Sequence, residues 1–94
     1  MKTAFELKVQ SGAYENPLPD GTDYETKLAH YEKRNELELQ FMFDLSQWLV
    51  EQGVPTQYAQ RVAVRARDDA HEHAYFKVWI LSRARELAEI FKGL

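Results

Sequence analysis

The spacing of apolar residues predicts two long helices. Between residues 55 and 94, apolar side chains recur with a period of about 3.6, which places them on one helical face. No proline or glycine interrupts this run before Gly93, so the pattern predicts one helix over about residues 57–92. Its stripe consists of Tyr58, Val62, Ala66, Phe76, Ile80, Ala84, Leu87, Phe91 and Leu94.

A second stripe lies upstream and predicts a helix over about residues 23–52. Gly53 ends this helix and Pro55 follows it, which is the usual order of helix-stopping residues. The stripe consists of Tyr24, Leu28, Tyr31, Asn35, Glu38, Met42, Leu45 and Leu49.

The short connection between the two helices predicts the fold class. A bend over residues 53–56 forces the helices to be antiparallel neighbours, so residues 22–94 are expected to form a long all-α helical hairpin. Thr22 is the expected N-cap of the first helix, with Glu25 at the capping-box position. Thr56 is the expected N-cap of the second helix.

The first 21 residues are expected to form an N-terminal arm followed by a proline-rich connector. Apolar Phe5, Leu7 and Val9 alternate with polar residues, which is the pattern of a short half-buried strand. The hairpin offers this strand no pairing edge. It is expected either to lie across the helices as an extended arm or to add to the sheet edge of a partner.

The two helices carry more apolar side chains than a hairpin can bury. Phe43, Val50, Tyr75, Val78 and Trp79 lie off the two facing stripes. Exposed apolar surface of this extent in a small protein usually marks an interface. These residues are therefore predicted to form a homodimer contact, as a four-helix bundle, or to dock on a larger protein. Phe5, Leu7 and Val9 are a second predicted contact.

Charge and composition narrow the class of protein. The net charge is −3 and cysteine is absent, which argues against general nucleic-acid binding and excludes disulfides and thiolate chemistry. Residues 1–53 carry five basic and ten acidic residues, whereas residues 54–94 carry seven and five. The arginines of the second helix are interleaved with acids, as on a solvated face. Without a signal-peptide pattern or a long apolar run, the expected location is cytoplasmic.

Four polar residues interrupt the two stripes. Asp69 and His73 lie one turn apart on the second helix, and Asn35 and Glu38 interrupt the first. Antiparallel packing about Val54 predicts that Asn35 lies beside His73, and Glu38 beside Asp69. One interpretation is a hydrogen-bonded buried polar cluster that fixes helix register.

The alternative interpretation of this cluster is a metal site. A dimer would supply two copies each of Glu38, Asp69 and His73, which is the donor set of a ferritin-like di-iron bundle. The stretch 67–74 resembles a segment of the encapsulated ferritins over eight residues. It departs from the Glu-x-x-His motif at Ala70, so the chain is not assigned to that family.

The sequence favours a non-enzymatic protein–protein interaction module, such as a small regulator, inhibitor or adaptor. The serines have no histidine and acid at a recognisable nucleophile spacing, and the glycines form no phosphate-binding loop. No cofactor is expected. The alternative function is that of the ferritin-like metal-binding helical protein.

Overall fold

The computed structural model describes residues 2–18, 21 and 23–94, and all the regular secondary structure within these residues is helical. This confirms the all-α class. A 3₁₀ turn, His71–His73, separates the last two α-helices. The α-helices are α1 (Ala4–Gln10), α2 (Tyr24–Glu51), α3 (Thr56–Asp69) and α4 (Lys77–Phe91).

The predicted N-terminal strand was wrong, because the Phe5–Val9 segment belongs to α1. Thr3 is the N-cap of this helix and forms a full capping box with Glu6. Phe5 and Val9 are one helical turn apart, so both reach the core, whereas Leu7 is 54% exposed. The alternation of apolar and polar residues over these five positions fits either a strand or a helix that buries an i, i+4 pair. The capping box favours the helix.

Helix α2 has nearly the predicted bounds. Asp23 is its N-cap and accepts a hydrogen bond from the Thr26 amide at 2.8 Å. The predicted N-cap, Thr22, lies outside the described residues. The helix stops before Gly53, whose φ of 102° suits glycine because it has no Cβ.

The predicted single helix over residues 57–92 was wrong at its centre. The chain leaves α3 after Asp69 and enters α4 at Lys77, and Pro55 rather than Thr56 precedes the first turn of α3. The break lets α4 fold back against both α3 and α1. As separate helices, α3 and α4 pack against each other, α3 also packs against α2, and α4 also packs against α1. This packing removes more apolar surface from water than a single long helix lying on α2 could.

The core lies where α2, α3 and α4 meet, and α1 covers one end of it. The Gly93 amide donates to the Gly53 carbonyl at 3.1 Å, so the end of α4 lies beside the α2–α3 bend. The four helices of one chain already pack together, and the assembly of two copies into a bundle stays a prediction. The largest fully buried side chains are Phe41, Leu45, Leu49, Ile80, Leu81, Val9 and Val54.

The N-terminal half of α2 extends beyond this core. Between Asp23 and Glu36 every residue is exposed except His30, which is half-buried and lies 3.3 Å from the Asn16 amide nitrogen. Tyr24, the first residue of the helix, is 78% exposed. An isolated helical segment of this length is marginally stable in water, so this half of α2 lacks the tertiary cover that stabilises most helices.

Candidate interaction surface

A groove of about 610 Å³ runs between α2 and α3, and its lining residues belong to these two helices. Its α2 wall includes Leu39, Phe43 and Val50, which are 73%, 63% and 37% exposed. Its α3 wall includes Ala59 and Val64. The charged side chains Glu38 and Arg67 lie at the end of the groove farthest from the bend. An apolar trough with a polar end is the usual form of a site that receives a helix.

The predicted interface residues lie on three different parts of the molecule. Phe43 and Val50 line the α2–α3 groove. Phe5 and Val9 pack inside the fold, where the Phe5 ring lies 5.9 Å from that of Phe41 and 6.1 Å from that of Trp48. These two residues are therefore occupied within the chain, and only Leu7 of the predicted N-terminal contact is free to meet a partner.

The remaining predicted interface residues lie around the α3–α4 connection. Val78 and Trp79 are 42% and 52% exposed, and Tyr75 is half-buried. The Trp79 ring packs on the His73 ring at 4.9 Å, and the Arg34 guanidinium lies 5.6 Å from the Tyr75 ring centroid. This second apolar area is separated from the groove and is partly covered by its own neighbours.

Three of the four polar residues of the predicted cluster, Glu38, Asp69 and His73, contact other residues, and Asn35 is exposed. Asp69 accepts hydrogen bonds from Arg65 at 3.0 Å and from Arg83 at 2.7 Å. The Arg83 guanidinium holds the pKa of the Asp69 carboxyl below its usual range, and Asp69 in turn raises the pKa of Arg83. His73 lies against Trp79. These contacts follow from the break after α3, because the chain turns Asp69 toward α4 instead of α2.

Glu38 pairs with a residue that sequence analysis missed. Lys77, at the start of α4, is only 6% exposed, and its ammonium lies 2.5 Å from the Glu38 carboxylate. It also donates to the Ala74 carbonyl at 2.8 Å and lies 5.6 Å from the Phe41 ring centroid. The pair fixes the start of α4 against α2, and Glu38 also lines one end of the groove. The sequence gives only a weak signal for a buried role of Lys77, because Lys77 follows Phe76 within what looks like one continuous helix.

These positions bear on the metal interpretation within one chain. Among the described residues, no three histidine or carboxylate side chains are grouped closely enough to hold a metal ion. Both oxygens of Asp69 already accept from arginines, and Asn35 is exposed on the extended half of α2. A shared site in a dimer would require these arginine contacts to break.

Glu6 links three helices near the opposite end of the core. Its carboxylate accepts from Arg85 at 2.8 Å and from the Trp48 indole at 3.4 Å, in addition to Thr3. The Arg85 guanidinium is the main reason that the pKa of Glu6 is lowered. The contact explains why α1 docks as a helix, since its N-terminal turn is tied to both α2 and α4.

The apolar exposure on α2 is larger than the sequence predicted. Tyr24, Leu28 and Tyr31 were assigned to the buried stripe, but they are 78%, 50% and 47% exposed. Leu39 was not singled out, although it is the most exposed apolar residue of the groove. A full helical projection of α2 could have found the signal, because these residues follow one line along the helix.

Comparisons with protein-family models, with curated proteins and with solved structures found no match, so the function is argued from this surface alone. In the described part of the chain, no helix is long and apolar enough to cross a membrane.

Proposed function

We propose that this protein is a non-enzymatic interaction module that docks on protein through the apolar groove between α2 and α3. The observation that carries the proposal is the exposure of Leu39, Phe43 and Val50 along one trough. Leaving such side chains in water costs free energy in proportion to their area, and a protein partner that covers them recovers it.

The shape and chemistry of the groove favour a helix as the docked element. Its apolar side chains come from both helices, and Ser46, Gln47 and Gln60 lie among them. An amphipathic helix lays its apolar side chains into such a groove at i, i+3, i+4 and i+7 positions. A regulator, inhibitor or adaptor acts through this kind of contact, either on itself or on a larger target.

Phe43→Lys tests the proposal against a matched control. Ile90 on α4 is 64% exposed, close to the 63% of Phe43, and lies outside the groove. We expect Phe43→Lys to weaken association at least tenfold, because it places a charge in the apolar trough. Ile90→Lys should leave association unchanged.

Association is measured in two ways: sedimentation equilibrium of the purified protein, and quantitative mass spectrometry of proteins captured from the native host. Circular dichroism checks that both variants keep the helical content of the wild type. Equal binding by the two variants, or no association of the wild type in either experiment, contradicts the proposal.

A further inference from the structure

We infer that the groove is filled by the N-terminal half of α2 from a second copy of this chain, so that two α2 helices pair antiparallel about a two-fold axis near Leu37. This inference rests on the proposed function, because it names the occupant of the same groove. The chain carries both halves of the contact: an apolar trough and an uncovered apolar helix.

Six exposed apolar residues of α2, together with the polar residues Asn35 and Ser46 that lie between them, form one continuous line, which we call the α2 seam. At 100° per residue its members fall within roughly a third of the helix circumference, beside the face that enters the core. The N-terminal members project from the uncovered half of the helix, and the C-terminal members line the groove. The α2 seam consists of Tyr24, Leu28, Tyr31, Asn35, Leu39, Phe43, Ser46 and Val50.

The spacing of the α2 seam is symmetric about Leu37. Every member has a counterpart at the same number of residues on the other side of this position. In an antiparallel two-fold pair, residues that lie at equal distances on opposite sides of the axis face each other. Each member of the seam therefore meets a member of the other copy. The opposed pairs are Tyr24 with Val50, Leu28 with Ser46, Tyr31 with Phe43, and Asn35 with Leu39.

The lengths of the two halves also agree. From Tyr24 to Asn35 the helix rises about 17 Å at 1.5 Å per residue, and the groove wall from Leu39 to Val50 rises by the same amount. The uncovered half of one copy therefore fits along the groove of the other. Since the contact is reciprocal, one pairing covers both halves of both seams.

A parallel pair would crowd the two four-helix bodies. It would place every seam residue against its own equivalent and bring the C-terminal halves of both α2 helices, with the helices packed on them, to the same end. The bulk of each four-helix body lies beside the C-terminal half of α2. Antiparallel pairing sends the two bodies to opposite ends, where neither obstructs the other.

The charges on the α3 side of the seam favour the same orientation. Arg34 and Glu38 lie one helical turn apart on this side, and both are close to the symmetry centre. Antiparallel pairing about Leu37 brings Arg34 of each copy to within two residues of the level of Glu38 of the other. The Glu38 side chain is 31% exposed while it pairs with Lys77, so it has room for a second cation.

The area is sufficient for a specific dimer. Six large apolar residues of the seam are between 37% and 78% exposed. With side-chain areas of about 150–250 Å² for the aromatic residues, the seam offers roughly 600–700 Å² per copy. Specific protein interfaces bury about 1,200–2,000 Å² in total over both partners, so a seam that is covered in both copies falls at the lower end of that range.

Substitutions on the two halves of the seam separate this inference from the proposed function. Leu28→Lys changes the uncovered half, Phe43→Lys changes the groove, and Leu7→Lys on α1 is a control with similar exposure to Leu28. We expect the wild type to sediment as a dimer, with the dissociation constant raised at least tenfold by Leu28→Lys and by Phe43→Lys. Leu7→Lys should leave it unchanged.

Cross-linking tests the register, because the chain has no cysteine of its own. Asn35→Cys and Leu39→Cys proteins of different mass are mixed and treated with a short bifunctional maleimide. We expect the mixed 35–39 product to exceed either self-linked product at least fivefold.

A monomeric wild type at the highest attainable concentration, or cross-linking without preference for the mixed product, overturns the inference. A dimer that Phe43→Lys disrupts and Leu28→Lys does not also overturns it, while docking in the groove stands. A dimer that neither variant weakens contradicts both proposals. A monomer whose host partner is lost with Phe43→Lys removes only the second copy as occupant.

Discussion

Replacing Glu38 by glutamine tests the ion pair that holds the start of α4 against α2. Lys77 is only 6% exposed. Its ammonium has two close oxygen partners, the Glu38 carboxylate at 2.5 Å and the Ala74 carbonyl at 2.8 Å. Glu38→Gln keeps the side-chain shape but removes the countercharge. The ammonium then stays in a nearly dry site with neutral partners only: the Ala74 carbonyl, the introduced amide oxygen and the face of Phe41.

The expected loss of stability follows from this geometry. Breaking a fully buried ion pair costs about 3–5 kcal/mol. The Glu38 side chain is 31% exposed, so water compensates part of the lost charge and we expect a cost of about 2 kcal/mol. For a domain of this length, that corresponds to a fall in Tm of about 8–16 °C.

Thermal and urea unfolding followed by circular dichroism measure this loss. Glu36→Gln is the matched control, because Glu36 lies on the same helix and its bridge to Lys33 is long, at 3.9 Å, and exposed. The control should change the unfolding free energy by less than about 0.5 kcal/mol. In the Glu38→Gln background, Lys77→Met should recover part of the loss by removing the unpaired charge. If Glu38→Gln is no more destabilising than Glu36→Gln, the ion pair does not hold α4 as described.

Two further predictions concern the ends of the core. Because Arg85 and the other donors lower the pKa of Glu6 below 4.5, the stability that Glu6 contributes is complete above about pH 4.5 and is lost as pH falls through the folded-state pKa. Urea unfolding between about pH 3 and 6 should therefore show a smaller acid-induced loss for Glu6→Gln than for the wild type, and equal slopes would contradict the role of this carboxylate. Gly53→Ala should cost about 1–2 kcal/mol, because φ is 102° there and an added Cβ would lie 3.4 Å from the Lys92 Cβ; an unchanged Tm would show that the bend relaxes.

The class of the fold could be predicted because long helical periodicity is a strong signal. The bounds of α2 follow from its regular stripe, from Gly53 and from Pro55. The break between α3 and α4 could not be predicted in the same way, since neither proline nor glycine marks it. Its cause is tertiary: α4 gains cover from α3 and α1 only if the chain turns back.

The candidate site was predicted in part. Phe43 and Val50 were identified because they lie off the core stripe, and the structure places them in the groove. The polar cluster depended on extending the hairpin register past residue 69, where the real chain changes direction. Phe5 and Val9 were misplaced because five alternating residues cannot distinguish a short strand from one helical turn with two core contacts.

The distance between spin labels on the paired α2 helices distinguishes the antiparallel dimer from a parallel dimer and from a monomer. Cysteines introduced at the exposed positions Ala29 and Lys33, one at a time, carry a nitroxide each and lie off the α2 seam. With a rise of 1.5 Å per residue and helices about 10 Å apart, an antiparallel pair centred at Leu37 separates the two Ala29 Cα atoms by about 26 Å and the two Lys33 Cα atoms by about 16 Å. Double electron–electron resonance should therefore show a mean distance between labels about 10 Å longer for Ala29 than for Lys33. Equal distances at the two positions would indicate a parallel pair, and the absence of any interaction between labels would indicate a monomer. Either result contradicts antiparallel pairing of α2.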